Sequence, residues 1–570
     1  VPQGFFDPAS RTPASRSADL NPPSLRSAPH HAWSSPIALR LGLVLFAVVW
    51  LAVSAGRSLI SADEGRYASL ALGMLQSGDW VTPRLNGILY FEKPPLQHWG
   101  GALSFWLFGI NEFAARLWPG LAGLATVFMV GGTGARLWGE RVGWHALLIA
   151  GSTTWIVANS HFLTLDAGLM ATLTLSLCGV LLAEHHAGDP AAQRMWMLAA
   201  WAGMGLAVLS KGLVGVLIPG AVLILHSVWR HDFSIWRRLH WAAGLAVVLV
   251  ISVPWFALVS LRNPDFASFF FIHEHFQRFV STVHRREGAW WYFVPYLLVG
   301  LLPWTAALPW ALRARRADFS TGLLLTWSVF VFVFFSASSS KLPSYILPMF
   351  PALALLVARA FERATDRALR LNLWVPVAIW GLPLLTLTQL HRFVSPTVPL
   401  PAVVAMAWGV GVGAALVLGA SALAWHLLGR QRRTAALAVL AAAHVAAVLI
   451  LMQSHDTFGQ LKSADAIVRA LAPRIDPSTP VFSVRDYDQT MPFYLRRSTI
   501  LVDYLDEFEF GLTREPQRGI SSLAAFADRW RLEPRAAAYL KPATFDELRA
   551  LGLPMQVVYR DARRLVVVKP

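Results

Sequence analysis

Four stretches of the 570-residue chain hold side chains able to do chemistry. The most constrained is Tyr90-Phe91-Glu92-Lys93-Pro94-Pro95, where a carboxylate adjoins an ammonium and two prolines stiffen the backbone. The prolines bias Lys93 and Pro94 towards extended backbone, in which neighbouring side chains point to opposite sides. Glu92 and Lys93 are therefore expected to serve different partners, Glu92 a metal or cationic group and Lys93 a phosphate. A solvated ion pair at a membrane edge is the plainer alternative. Upstream, Asp63-Glu64-Gly65-Arg66-Tyr67 sets an acidic pair just beyond the first apolar segment. Ionisable residues at a membrane edge are functional candidates because desolvating them costs energy. A solvated surface pair is again the alternative.

The third stretch is Phe271-Ile272-His273-Glu274-His275-Phe276-Gln277-Arg278. Glu274 and Arg278 have the spacing of an ordinary helix-surface ion pair. His273 and His275 lie too close in sequence to share a helical face, which argues against a two-histidine metal motif. One histidine with carboxylates from another loop would still make a site with open positions; a merely solvated histidine fits equally well. The fourth comprises Ser210-Lys211-Gly212 and Ser338-Ser339-Ser340-Lys341-Leu342-Pro343-Ser344-Tyr345. A lysine among small hydroxyls at a helix N-terminus suits an anion, and a snorkelling lysine is the alternative. Asp166 is a further isolated acid at the end of an apolar segment. Acids Asp63, Glu92 and Asp166, cations Lys93, Lys211, Arg278 and Lys341, and the phenol of Tyr345 together suit a phosphate-bearing lipid with a polar head.

These residues must be positioned by apolar elements. The chain is 55% hydrophobic and 14% charged, with a mean hydropathy of +0.48, far from a soluble domain. Apolar runs predict about thirteen membrane spans, at ~20 residues each. They begin with Leu41 to Ala55, and 99–110 is too short to cross. That first run is expected to be a retained helix, with a signal peptide as the rival. The net charge of +16 does not point to nucleic acid, because many Lys and Arg fall in alternate short loops, as the positive-inside rule expects. That rule puts the N-terminus inside. It puts the loops 57–112 and 261–289 and the C-terminal region outside. The helical stretch from Tyr67 to Leu75 is expected to lie along the interface.

Residues 1–36 read as a flexible tail, 37–453 as the membrane domain and 454–570 as a small α/β domain, serving as a lid or docking surface. In that last domain strands are expected at Pro480–Val484, Thr499–Val502, Met555–Tyr559 and Leu565–Val568, with Ser463 capping a helix from Ala464 to Leu471. The lone Cys178 suits packing. The spans are nearly free of acids and the charges gather at one face, which favours surface chemistry over transport.

In order, Asp63-Glu64-Gly65-Arg66-Tyr67, Phe91-Glu92-Lys93-Pro94-Pro95-Leu96, Ser210-Lys211-Gly212 and Ser340-Lys341-Leu342-Pro343-Ser344-Tyr345-Ile346-Leu347-Pro348 resemble the bacterial GT-C glycosyltransferases related to protein mannosyltransferases. Nearest is the branch that adds 4-amino-4-deoxy-L-arabinose to lipid A. The resemblance implies a mainly α, polytopic GT-C fold in a bacterial inner membrane, acting as a monomer with its site on the periplasmic face. It implies inverting transfer of the amino sugar from undecaprenyl phosphate to a lipid A phosphate, and thereby polymyxin resistance; a related sugar or acceptor is the alternative. By the same resemblance Asp63 is the essential carboxylate, with Asp166 and Glu92 also catalytic. Glu92 and His273 would hold a divalent metal, zinc. Lys93, Arg278 and Tyr345 would take the carrier phosphate, with Arg66, Tyr67, Tyr90, Lys211 and Lys341 around the substrate. For a hydroxyl acceptor Asp63 would be a general base. A phosphate needs none, and Asp63 would then orient a substrate or hold the sugar ammonium.

Overall fold

The computed structural model describes residues 36–277, 288–313 and 318–570, the side chains of 36, 38–39 and 273–277 excepted. An apolar helix, α1 (Pro36–Ala52), leads to α2 (Asp63–Ser77), the two-stranded β1 (Arg84–Leu85) and β2 (Ile88–Leu89), and α3 (Leu96–Phe108). β1 and β2 turn on Asn86-Gly87, with φ of 52° and 80°, the dipeptide that tolerates two positive φ angles in a hairpin. A helical array follows: α4 (Glu112–Trp138), α5 (Glu140–Ser152), α6 (Thr154–Ser160), α7 (Asp166–His185), α8 (Pro190–Lys211), α9 (Val214–Arg230) and α10 (Trp241–Arg262). Beyond it come α11 (Phe319–Ala337), α12 (Phe350–Arg363), α13 (Leu400–Gly429) and α14 (Arg433–Ser454).

Among the described residues, eight helices are long and apolar enough to cross a membrane, or nine if a bent pair is counted as one. The array is therefore less regular than thirteen straight spans. The apolar run 142–159 is two helices, because Thr153 leaves helical geometry at φ −61°, ψ 117°. The freed Thr154 N–H donates to the Leu302 carbonyl at 3.1 Å. The run 290–308 bends by 109° between Phe293–Gly300 and Thr305–Leu312, where Pro303 interrupts it.

The C-terminal region folds around a six-stranded sheet in the order β5-β4-β3-β6-β8-β7. Its strands are β3 (Val481–Val484), β4 (Ile500–Val502), β5 (Gly519–Ile520), β6 (Ala537–Leu540), β7 (Gln556–Arg560) and β8 (Leu565–Val568). Helices α15 (Asp465–Leu471), α16 (Leu523–Leu532) and α17 (Pro542–Ala550) complete it. β3 runs parallel to β4 and β6, and β8 is antiparallel to β6 and β7. Alternate residues supply two cores: Phe482, Val484, Ala538, Leu540, Leu565 and Val567 face one side, while Val481, Ala537, Tyr539, Val566 and Val568 face the other. That is the period-two pattern of a sheet covered on both faces. Four strands fall where the sequence places them. β5 and β6 do not stand out in sequence, one being two residues long and the other alanine-rich, and alanine is no strand former. The helix expected from Ala464 starts at Asp465, and the Ser463 hydroxyl accepts the Asp465 N–H at 3.3 Å.

This domain seats on the first loop. Residues of α2, β1, β2 and α3 share one core with Tyr487, Phe493, Leu501, Phe508 and Leu512. Asn86 and the Thr499 backbone exchange two hydrogen bonds of 2.8 Å. A Cβ on Gly65 would sit 2.5 Å from the Gln489 and Thr490 backbone, so only glycine permits this approach. α2 is thus enclosed by protein along most of its length rather than lying on an interface. The second loop joins the same face. Phe91 packs edge-on to Phe266 at 5.3 Å, and Arg514 pairs with Asp265 at 2.7 Å.

Candidate active site

The acidic pair opening α2 divides into two roles. Glu64 is 2% exposed and takes both Arg116 Nε and Nη2, at 2.6 and 2.8 Å. It also accepts the Ile60 and Leu163 N–H groups, each at 3.1 Å. Burial alone would raise its pKa; the Arg116 charge and hydrogen bonds outweigh burial and hold the carboxyl below its ordinary value. Glu64 is a structural anchor. Asp63, at the very N-terminus of α2, keeps its side chain 48% exposed and accepts from Arg66 Nη1 at 2.8 Å.

Arg66 is shared. Its Nε donates to Glu507 at 2.5 Å, and Glu507 in turn accepts from Gln489 Nε2 at 2.8 Å. Burial works against the Arg66 cation, but Tyr90, Glu507, Tyr67 and Asp63 more than compensate and raise its pKa. Burial raises the Glu507 pKa despite Arg66 beside it, and Glu92 adds to the rise. Glu507 comes from the C-terminal domain and did not stand out in sequence. The run Asp506-Glu507-Phe508-Glu509 looks like any solvated acidic turn, and its partner lies 441 residues away.

Tyr67 and Tyr90 are buried between these charges. Burial, then Asp63 and, more weakly, Asp166 and Glu92 raise Tyr67 well above an ordinary phenol. Burial and then Glu92 do the same to Tyr90. Both therefore remain protonated and act as hydrogen-bond donors, not as phenolates. Tyr67 also stacks on the ring of buried His98, centroids 6.0 Å apart.

A second charge cluster faces Asp63. Asp166 opens α7 and Lys211 closes α8, and the two form an ion pair. The Lys211 ammonium lies 4.8 Å from the Tyr345 ring centroid, a cation–π contact. Asp63 is also within electrostatic reach of this ammonium. Lys211 thus ends a helix instead of sitting at an N-terminus, and Gly212 at φ 77° stops that helix.

Glu92 and Lys93 are both half-buried. Lys93 Nζ donates to the Glu92 carbonyl at 2.9 Å, which folds the ammonium over its own turn. Pro95 then caps α3. Lys341 departs from the anion-site expectation: its Nζ donates to the Ser336 and Ser338 carbonyls at 3.1 and 2.6 Å. A cation closing a helix C-terminus is favourable there, and Lys341 serves the end of α11. Arg278 and the side chain of His273 lie outside the described residues; the backbone of Ser268–Gln277 is a π-helix. Among the described residues no three His, Cys, Asp or Glu side chains are placed to hold a metal. Of the expected metal pair, only the Glu92 carboxylate is described.

The structure therefore brings Asp63, Arg66, Tyr67, Tyr90, Glu92, Asp166, Lys211 and Tyr345 to one region, with Glu507 added. Its cations suit a phosphate, its carboxylates suit an ammonium, and its buried phenols can donate to a phosphate oxygen.

Comparison with known proteins gives a consistent result. Residues 39–270 match the family described as dolichyl-phosphate-mannose-protein mannosyltransferase, and residues 467–569 match the aminoarabinose transferase C-terminal domain. An undecaprenyl phosphate-α-4-amino-4-deoxy-L-arabinose arabinosyl transferase from Pseudomonas aeruginosa is 32% identical over 492 residues, 83% of this chain and 86% of that protein. Its counterpart from Edwardsiella ictaluri is 35% identical over 339 residues, and there the match spans 58% of this chain and 61% of that protein. The crystal structure of ArnT from Cupriavidus metallidurans bound to undecaprenyl phosphate superposes with a TM-score of 0.89. It is 37% identical, covering 94% of this chain and 99% of that one.

Proposed function

The chain belongs to the family of undecaprenyl phosphate-α-4-amino-4-deoxy-L-arabinose arabinosyl transferases, and from that premise we propose that it moves the amino sugar from undecaprenyl phosphate to a phosphate of lipid A. It is a multi-pass membrane glycosyltransferase using a polyprenyl-phosphate sugar donor. The observation that carries the fuller proposal is the convergence of Asp63–Arg66–Glu507 and Asp166–Lys211–Tyr345 on buried Tyr67 and Tyr90.

In the transfer, an acceptor phosphate oxygen attacks the anomeric carbon with inversion. The bond from that carbon to the carrier phosphate breaks, and its electrons leave on the carrier. Stabilising that developing charge is the main catalytic task. Lys211 and the phenols would serve it, with Lys93 and Arg278 as further candidates. Asp166 holds Lys211 in place. A phosphate acceptor is already ionised near neutral pH and needs no base, so Asp63 orients the acceptor or holds the sugar ammonium. Zinc held by Glu92 and His273 would add positive charge beside the carrier phosphate. Metal analysis of purified wild type and Glu92→Gln tests that site, with bound zinc expected only in the former.

The charge pattern of the loops supports a catalytic face on the periplasmic side of the inner membrane. The match of residues 39–270 to protein mannosyltransferases favours a second reading, a hydroxyl acceptor, with Asp63 as base. Lipid A mass spectrometry in a strain lacking its own enzyme separates the two. A pentosamine on phosphate, with polymyxin protection, is expected for the wild type; unmodified lipid A would favour the second reading.

A further inference from the structure

A cavity of about 480 Å³ opens beside the catalytic region, at one edge of the C-terminal sheet. Asp486 and Asp488 follow the carboxyl end of β3, and Lys541 follows that of β6, its parallel neighbour. Arg563 and Arg564 come from the β7–β8 turn, which the antiparallel pairing Leu540↔Leu565 carries to the same edge. In open α/β sheets, ligands bind outside the carboxyl ends of parallel strands.

The lining holds four cations, Lys462, Lys541, Arg563 and Arg564, against two carboxylates, Asp486 and Asp488. Their placement is layered. Asp488 and Arg564 are buried, and Arg564 is fixed by Asp561 and by the Ser463 carbonyl at 2.7 Å. Lys462, Lys541 and Arg563 are exposed at the rim, where Lys541 also pairs with Asp486 at 3.3 Å. Such a lining fits a sugar phosphate, with the part-exposed Asp486 for a hydroxyl and rim cations for the phosphate, while Asp488 is engaged by Ser61, Thr490 and Arg564.

Two links tie the cavity to the active region. Ser61 lines it and donates to Asp488 at 2.7 Å. Ser61 is two residues before Asp63, so their Cα atoms are within about 7.6 Å. Gln489 lines it too, and donates to Glu507, the partner of Arg66.

We propose that this cavity is an acceptor subsite. It holds the non-reacting phosphate and adjoining hydroxyls of a phosphorylated disaccharide headgroup while the reacting phosphate lies near Asp63. This rests on the reading of lipid A as acceptor.

The test is a steady-state assay of the full chain with undecaprenyl-linked amino sugar. Acceptors are bisphosphorylated lipid A and the monophosphorylated form that still accepts the sugar. Each charged contact is worth roughly tenfold in affinity, so wild type is expected to show an acceptor KM at least about tenfold lower for the bisphosphorylated form. Lys541→Ala/Arg563→Ala raises that KM to the monophosphorylated value. It leaves the monophosphorylated KM, the donor KM and kcat unchanged. Both residues are exposed, and an unchanged Tm checks the fold. Equal effects on the two acceptors, or none on either, overturn the subsite. Transfer by wild type to neither acceptor overturns the lipid A reading and this assignment with it.

Discussion

Asp63 and Glu64 are neighbours of the same charge, yet exposure separates their work. A half-exposed carboxylate bonded to one arginine can be changed without unpacking a core. Asp63→Asn should lower kcat about 10²-fold or more with Tm unchanged; a matching fall in Tm would recast it as structural. Glu507 acts through Arg66, so Glu507→Ala should reduce kcat more than it alters the donor KM, and Glu507→Gln should recover part of the loss. Asp166 and Lys211 need a different test because both are largely buried. Leaving either charge alone costs about 3–5 kcal/mol. Asp166→Asn and Lys211→Met should each lower Tm, while the double variant regains much of it and stays inactive. Most of the candidate region was legible in residue types, because charges that must leave water near a membrane edge have few idle explanations. Lys341 was legible as a motif but not in its role, since a lysine facing carbonyls and one facing a phosphate read alike. Glu507 was not legible at all, because only tertiary docking separates it from its acidic neighbours.

Elements place these residues through close backbone approach more than through helix length. Gly65 explains the middle of Asp63-Glu64-Gly65-Arg66-Tyr67: with no Cβ, α2 comes against Gln489 and Thr490, and Arg66 then reaches Glu507. Gly65→Ala should push the C-terminal domain from α2. We expect a Tm lower by several degrees and a loss of turnover like that of Glu507→Ala, whereas Gly78→Ala, where a Cβ meets no atom within 4 Å but φ is +71°, should affect Tm alone. A Gly65→Ala enzyme of normal activity would remove α2 docking from the account of the site. Elements were also where sequence was least informative. Apolar runs mark what avoids water but not where a helix breaks, so Thr153 and the Pro303 bend are absent from a hydropathy reading. Strands β3, β4, β7 and β8 carry β-branched residues and stand out, whereas β6 is set by its neighbours in the sheet.

For the whole molecule, a buried ion pair ties the first loop to the membrane helices. Arg116 of α4 holds Glu64 and also donates to the Ser54, Arg57 and Ser58 carbonyls at 3.1, 2.7 and 2.9 Å. Glu64 extends the link to Leu163, just before α7. Removing one partner of such a buried pair costs about 3–5 kcal/mol, so Glu64→Gln should lower Tm markedly at neutral pH. The folded-state pKa of Glu64 lies below its ordinary 4.5, which fixes the sign of the pH dependence. Above about 4.5 both folded and unfolded chains carry the charge, and the stabilisation is fully present. As pH falls through 4.5 the unfolded chain protonates first, and the contribution declines until the folded carboxyl protonates at a lower pH. Other carboxylates titrate in this range, so the informative quantity is the Tm of wild type minus that of Glu64→Gln across pH 3–8, measured in detergent. That difference should be constant from neutral pH down to about 5 and shrink below 4.5; a difference that stays constant to pH 3 would show that Glu64 is not held below its ordinary value.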